Sequence, residues 1–118
     1  MSRRTAFASS TVHEKGFRVV TSAVVHATLG TARIVDVREP REFTGDLGHI
    51  ADAFLVPLAE LEAAAVRWER DAPIVLVCRS GGRSAIAAEL LVGMGFEAVM
   101  NLTGGMLAWT DAGLAVER

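Results

Sequence analysis

The sequence predicts an α/β domain built on a parallel or mostly parallel sheet covered by helices. Three observations carry this. Short apolar runs alternate with segments of helical period along the chain, as expected of successive βα units. The strand candidates, Ile74 to Val77 above all, are too apolar to leave either face in water. Between that strand and the following helix lies CRSGGR, a six-residue reversal whose Gly81 and Gly82 supply the backbone freedom a strand-to-helix turn needs.

In chain order, residues 1–16 (MSRRTAFASSTVHEKG) are polar and aperiodic, and are read as a flexible, loosely docked arm before a domain at 17–118. The SRRTAF opening faintly resembles a twin-arginine export signal, but ASSTVHEKG follows where an apolar segment belongs, so a cytoplasmic protein is expected. Phe17 to Val20 reads as a first strand. Thr21 or Ser22 then caps a helix with Val24, Val25, Thr28 and Leu29 on one face, stopped by Gly30. The strand IVDV ends at Arg38, and Pro40 suits the first turn of a helix in REPREF. Asp36 and Arg38 fall at the carboxyl end of a parallel strand, where α/β sheets place their sites; as an ion pair they are assigned to bracing loops, not to catalysis.

His49 precedes a strand in AFLVPL and is read as a buried, hydrogen-bonded histidine rather than a general base. Leu61, Ala65 and Trp68 mark a helix of roughly three turns, ended by Asp71 and Pro73, with Trp68 a core anchor. The segment Ser84 to Met94 carries Ile86, Leu90 and Met94 at helical spacing, and Gly93 and Gly95 end it. AVMNL is the last strand. In TGGMLAW the glycine pair turns the backbone into a short helix whose Met106 and Trp109 pack inward.

The 118 residues, 51% hydrophobic and 22% charged, make one well-cored domain. A net charge of −2 carries no signal for nucleic acid or an anionic membrane, and no apolar stretch reaches the length of a membrane span. One cysteine excludes an intramolecular disulfide, and His13, His26 and His49 lack metal-ligand spacing, so neither metal nor cofactor is expected.

That cysteine, Cys78, opens the CRSGGR turn. If the loop curls around it, successive N–H groups and the start of the next helix point at the sulfur and form an anion-binding nest. A lone cysteine at a strand end is ordinarily a small buried hydrophobe. No packing argument, however, asks for both Arg79 and Arg83 beside it, although arginine is the usual base here and Lys15 the only lysine.

Four segments together resemble the rhodanese-type sulfurtransferases: IVDVREPREF, GHI with VPL, VCRSGGRSA and NLTGGMLAW, in this order and spacing between Thr21 and Trp109. One departure stands out, because Ala51 and Asp52 replace the Pro and Gly of the family's usual GHIPGA. Asp tolerates left-handed backbone better than most residues, so a local adjustment of that turn is expected. The resemblance implies a five-stranded, three-layer domain with the active loop at the carboxyl edge of the sheet. It implies Cys78 as the nucleophile and Arg79, Ser80, Gly81, Gly82 and Arg83 as the donor-binding loop. The reaction implied is transfer of a sulfane sulfur from thiosulfate or a related small donor, through a cysteine persulfide, to cyanide in assay or to a thiol or acceptor protein in the cell. A monomer or homodimer is expected.

Other classes compete with this reading. Cysteine phosphatases and arsenate reductases place five residues between cysteine and arginine, whereas four lie between Cys78 and Arg83. An NTP site would need GxxxxGK[ST], which is absent. A non-enzymatic interaction module is the remaining alternative; the presence of Cys78 with both arginines argues against it and leaves a regulatory or sulfur-carrier role open.

Overall fold

The computed structural model describes residues 4–118. Eleven elements follow one another as β1 (Thr11–Val12), β2 (Arg18–Val20), α1 (Ser22–Ala27), β3 (Arg33–Asp36), α2 (Pro40–Phe43), β4 (Phe54–Leu55), α3 (Leu58–Ala65), β5 (Ile74–Val77), α4 (Gly82–Gly93), β6 (Val99–Leu102) and α5 (Gly105–Asp111). The sheet has six strands in the order β1-β2-β6-β5-β3-β4. Five run parallel, as expected, and the sixth is β1, which pairs antiparallel with β2 through Thr11 opposite Val19.

That extra strand comes from the segment read as an arm. Within it Ala6 is buried and takes the Thr31 hydroxyl as acceptor for its N–H, and Arg18 reaches back to the Ser10 hydroxyl at 2.6 Å. Composition missed these contacts because they depend on partners more than five residues away. Ser2 and Arg3 of the twin-arginine likeness lie outside the described residues.

Period-two alternation along β5 sorts the core into two layers. Ile74 and Leu76 face Leu61 and Ala65 of α3 and Ala87, Ala88 and Leu91 of α4, and Cys78 continues that side. Val75 and Val77 face Val25 of α1 and Met106 and Trp109 of α5. The sheet is thus covered on both sides, which is why its central strand β5 is apolar throughout. Thr21 caps α1 by accepting the Val24 N–H at 3.2 Å, a contact typically worth about 1 kcal/mol. Pro40 occupies the first turn of α2, and Glu39 and Glu42 close a capping box there.

Several boundaries differ from the sequence reading, two of them with consequences for packing. The fourth strand is only Phe54–Leu55, and α3 stops at Ala65, so Trp68 lies beyond it, edge-on to Phe96 at 6.3 Å. The Ala51-Asp52 departure is resolved by a turn closed by the Ala53 N–H on the Ile50 carbonyl, with Asp52 at φ 68°. It is the one non-glycine residue of positive φ among those described. No helix among the described residues is long and apolar enough to cross a membrane.

Candidate active site

Cys78 follows β5 directly, at the carboxyl end of the sheet. The loop after it is held in shape from outside. The Cys78 carbonyl accepts from the Met106 N–H at 2.9 Å, and the Arg79 carbonyl from the Leu107 N–H at 3.0 Å. With its carbonyls turned out to α5, the loop presents its N–H groups inward. This contact requires glycine at 105, where φ is +55° and a Cβ would stand 2.4 Å from the Cys78 oxygen. Gly81, at φ 108°, then reverses the chain into α4.

The sulfur sits at the centre of that turn. It accepts the Gly81 N–H at 3.0 Å and lies 3.3 Å from the Ser84 hydroxyl. Burial is the largest influence on the thiol and pushes its pKa up. The Ser84 hydroxyl and the N–H groups of Ser84, Gly81 and Ser80 together outweigh it, and the net direction is down from the ordinary thiol value. Cys78 is therefore both things the sequence allowed. It is 1% exposed and packed with the α3–α4 core, and its sulfur is in a nest that favours the thiolate.

The two arginines do not converge in the same way. Arg79 is exposed and shares a hollow of about 510 Å³ with Arg38, Arg41, Glu42, Asp46 and Leu47. Arg83 is engaged end-on by Glu42 of α2, with Nη1 donating to Oε1 at 2.7 Å and Nη2 to Oε2 at 2.8 Å. This bidentate contact brings the Glu42 pKa down to about 2, helped by the Glu39 N–H and opposed by partial burial. The stabilisation from Glu42 is thus present above the ordinary carboxylate range and lost as pH falls through about 2. Gly82 opens the helix, and its Cα faces open space.

Asp36 and Arg38 form the expected brace. Both are 1% exposed, and the Arg38 guanidinium donates to Asp36 at 2.8 and 2.9 Å and to the Gly48 carbonyl at 2.7 Å. His49 is structural as well, stacked on Phe43 at 3.7 Å with Nδ1 2.8 Å from the Phe43 carbonyl oxygen. Met106 and Trp109 are buried in the core, and the Trp109 indole donates to the Ala115 carbonyl at 3.0 Å.

Three residues of the site escaped the sequence reading: Glu42, Ser84 and Asn101. Asn101 carried a signal, since a polar side chain in the apolar run AVMNL must find buried partners. Among the described residues, no cluster of His, Cys, Asp or Glu could hold a metal ion. A hollow of about 440 Å³ at the opposite, amino-terminal end of the strands, lined by Gly30, Arg33, Phe54 and Pro73 among others, contains none of the loop.

Comparison with known proteins agrees with this architecture. Slr1261 of Synechocystis is 43% identical over 81 residues, which are 69% of this chain and 44% of that protein, so the chain spans less than half of that relative. The thiosulfate sulfurtransferase GlpE of Vibrio cholerae is 35% identical over 73% of this chain and 79% of its own. A rhodanese-related protein of Thermoplasma volcanium superposes with a TM-score of 0.77 at 30% identity, covering 84% of this chain and 96% of that one. The family model of the rhodanese-like domain matches residues 21–112, from the cap of α1 to the end of α5 and across the whole cysteine loop, and the chain belongs to that family.

Proposed function

We propose that this domain is a sulfurtransferase that carries a sulfane sulfur on Cys78, with thiosulfate or a related sulfur oxyanion as donor. The observation that carries the reading is the nest itself: a sulfur accepting the Gly81 N–H at 3.0 Å, with a thiol pKa held down despite burial. The relative named as a thiosulfate sulfurtransferase supports the choice of donor. No separate base is needed, because the loop stabilises its own nucleophile.

In the loading step the Cys78 thiolate attacks the outer sulfur of thiosulfate. The donor S–S bond breaks, its electron pair leaves on sulfite, and Cys78 becomes a persulfide whose charge rests on the outer sulfur. In the discharge step a nucleophilic acceptor, cyanide or a thiolate, bonds to that outer sulfur. The Cys78 S–S pair returns to Sγ, and the thiolate is regenerated. The N–H groups of Ser80, Gly81 and Ser84 stabilise the sulfur anion, and Arg79 and Arg83 draw the donor dianion to the loop. Arg83 has five N–H donors, and Glu42 takes one from each terminal nitrogen, so it can hold the donor without releasing Glu42.

Intact-mass measurement after incubation with thiosulfate tests the reading. The wild type should gain one sulfur atom, removable by cyanide, and Cys78→Ala should gain none. An unmodified wild type under donor excess would instead favour a non-enzymatic interaction module.

Arg83→Ala should lower kcat/KM for thiosulfate by about one to three orders of magnitude, the loss of a charge-assisted contact. If Arg83 is only a strut between α2 and α4, thermal stability will fall while activity stays within about a factor of two.

A further inference from the structure

Asn101 lies on β6, in register with Leu76 of β5, and it is 7% exposed in a strand whose other residues are apolar. A buried amide must be paired, and both ends of this one reach the cysteine loop. Nδ2 donates to the Gly81 carbonyl at 3.2 Å, and Oδ1 accepts from the Ser84 hydroxyl at 2.5 Å. The reversed amide would set Oδ1 against the Gly81 oxygen, so the surroundings select this orientation.

Ser84 is fully buried and has one hydroxyl proton. Its oxygen lies near three acceptors: Asn101 Oδ1 at 2.5 Å, Cys78 Sγ at 3.3 Å and the Gly81 carbonyl at 3.3 Å. The carbonyl already accepts from the Ala85 N–H and from Asn101. The contest is therefore between the amide oxygen and the sulfur.

We propose that Asn101 is a positioning residue that governs the thiolate through Ser84, by holding the hydroxyl proton when Sγ is uncharged and yielding it when the charge is there. This deepens the sulfurtransferase reading and rests on it for the following sequence of states. In the thiolate the proton turns to Sγ. In the persulfide the charge has moved one atom outward, toward the loop N–H groups, and the proton returns to Asn101. On discharge the electron pair comes back to Sγ, and the hydroxyl turns to meet it. Asn101 thereby tempers the nucleophile, since its oxygen competes for the one side-chain donor the sulfur has.

The competition has a sign that distinguishes it from simple support. The charged groups around Cys78 are Arg79 on the loop, Arg83 of α4 with Glu42 of α2, the Asp36–Arg38 pair at the end of β3, and His13, Glu14 and Lys15, with Glu89 of α4 paired to Lys15, beside the outer face of Ser80 and Gly81. The Asn101 amide is hydrogen-bonded to Ser84 and Gly81 and to none of these charged groups. Removing the amide oxygen frees the Ser84 proton for the sulfur, and the Gly81 carbonyl keeps the Ala85 N–H at 3.1 Å.

The test is the pH–rate profile of iodoacetamide alkylation at Cys78. In Asn101→Leu, and in the smaller, strand-favouring Asn101→Val should the leucine not fit, the midpoint should fall by about one pH unit, a tenfold change in ionisation. In Ser84→Ala it should rise, and adding either Asn101 substitution to Ser84→Ala should move it no further. A midpoint that stays put or climbs toward the free-thiol value in both single variants overturns the proposal, as does a fall that persists without Ser84. These profiles do not depend on sulfur transfer. If they behave as expected while the wild type takes up no sulfur from thiosulfate, the transfer reading and its sequence of states fail, and the control of the thiolate by Asn101 stands.

Discussion

Arg38→Ala should lower folding stability by about 3–5 kcal/mol, the usual loss when one member of a buried ion pair is removed. For a domain of this size that corresponds to a fall in Tm of about 10–20 °C. The magnitude follows from what the substitution strands. Asp36 would be left 1% exposed without its guanidinium. The carbonyls of Gly48 and Glu42 would lose their Arg38 donors, at 2.7 and 3.2 Å. Arg38 thus adds polar ties between the end of β3 and the segment from α2 to β4, whose Ile50 is also buried against Val75 and Val77. A double variant, Asp36→Leu with Arg38→Met, should recover only part of the loss, because the uncompensated carboxylate is gone but both carbonyls still lack the guanidinium. Denaturant unfolding of the three proteins decides it. A single-variant loss below about 1 kcal/mol, the worth of an exposed pair, would show that water reaches Asp36.

Gly105→Ala should abolish most of the activity and destabilise the fold together. The new methyl carbon would stand 2.4 Å from the Cys78 oxygen and 2.7 Å from the Arg79 oxygen, both backbone atoms that no rotamer change can clear. Left-handed backbone at alanine costs a further 1–2 kcal/mol or about that. Either α5 or the loop must move, and the Met106 and Leu107 N–H groups then lose the carbonyls they hold at 2.9 and 3.0 Å. Those contacts turn the loop amides inward. Misplacing a reacting centre by about 1 Å commonly costs a hundredfold in rate, so kcat/KM should fall at least that far in whatever fraction remains folded. The alkylation midpoint of Cys78 should climb toward the free-thiol value as its N–H donors turn away. Retention of wild-type kinetics would mean that α5 does not shape the loop.

Much of this domain is legible in local sequence. Strand β5 is found at the residues its apolar run marks, Thr21 caps α1, Pro40 starts α2, and the glycine-rich turn delivers Cys78 to the start of α4. Each depends on chemistry within a few residues: apolar runs, a side-chain oxygen three residues from an N–H, a fixed φ, an achiral reversal. Asp52 could be read for the same reason, since its positive φ is a property of its own backbone and side chain.

What only the tertiary structure decided involves partners distant in the chain. Glu42 meets Arg83 across 41 residues, and Asn101 meets Ser84 across 17. Gly105 lies against Cys78 because β5 and β6 are neighbours in the sheet and their following loops are pressed together. Residues 4–16 gain a strand and a buried alanine from pairings that no local pattern encodes. By itself the sequence marked a strand, two glycines and a helix around one cysteine at the carboxyl end of the sheet, and so allowed an amide nest there, because that local chemistry leaves the backbone few other turns. Which side chains share that sulfur's proton donor, and which acid holds its arginine, was decided by the order of strands, because hydrogen bonds form only between groups that packing brings within about 3 Å of each other.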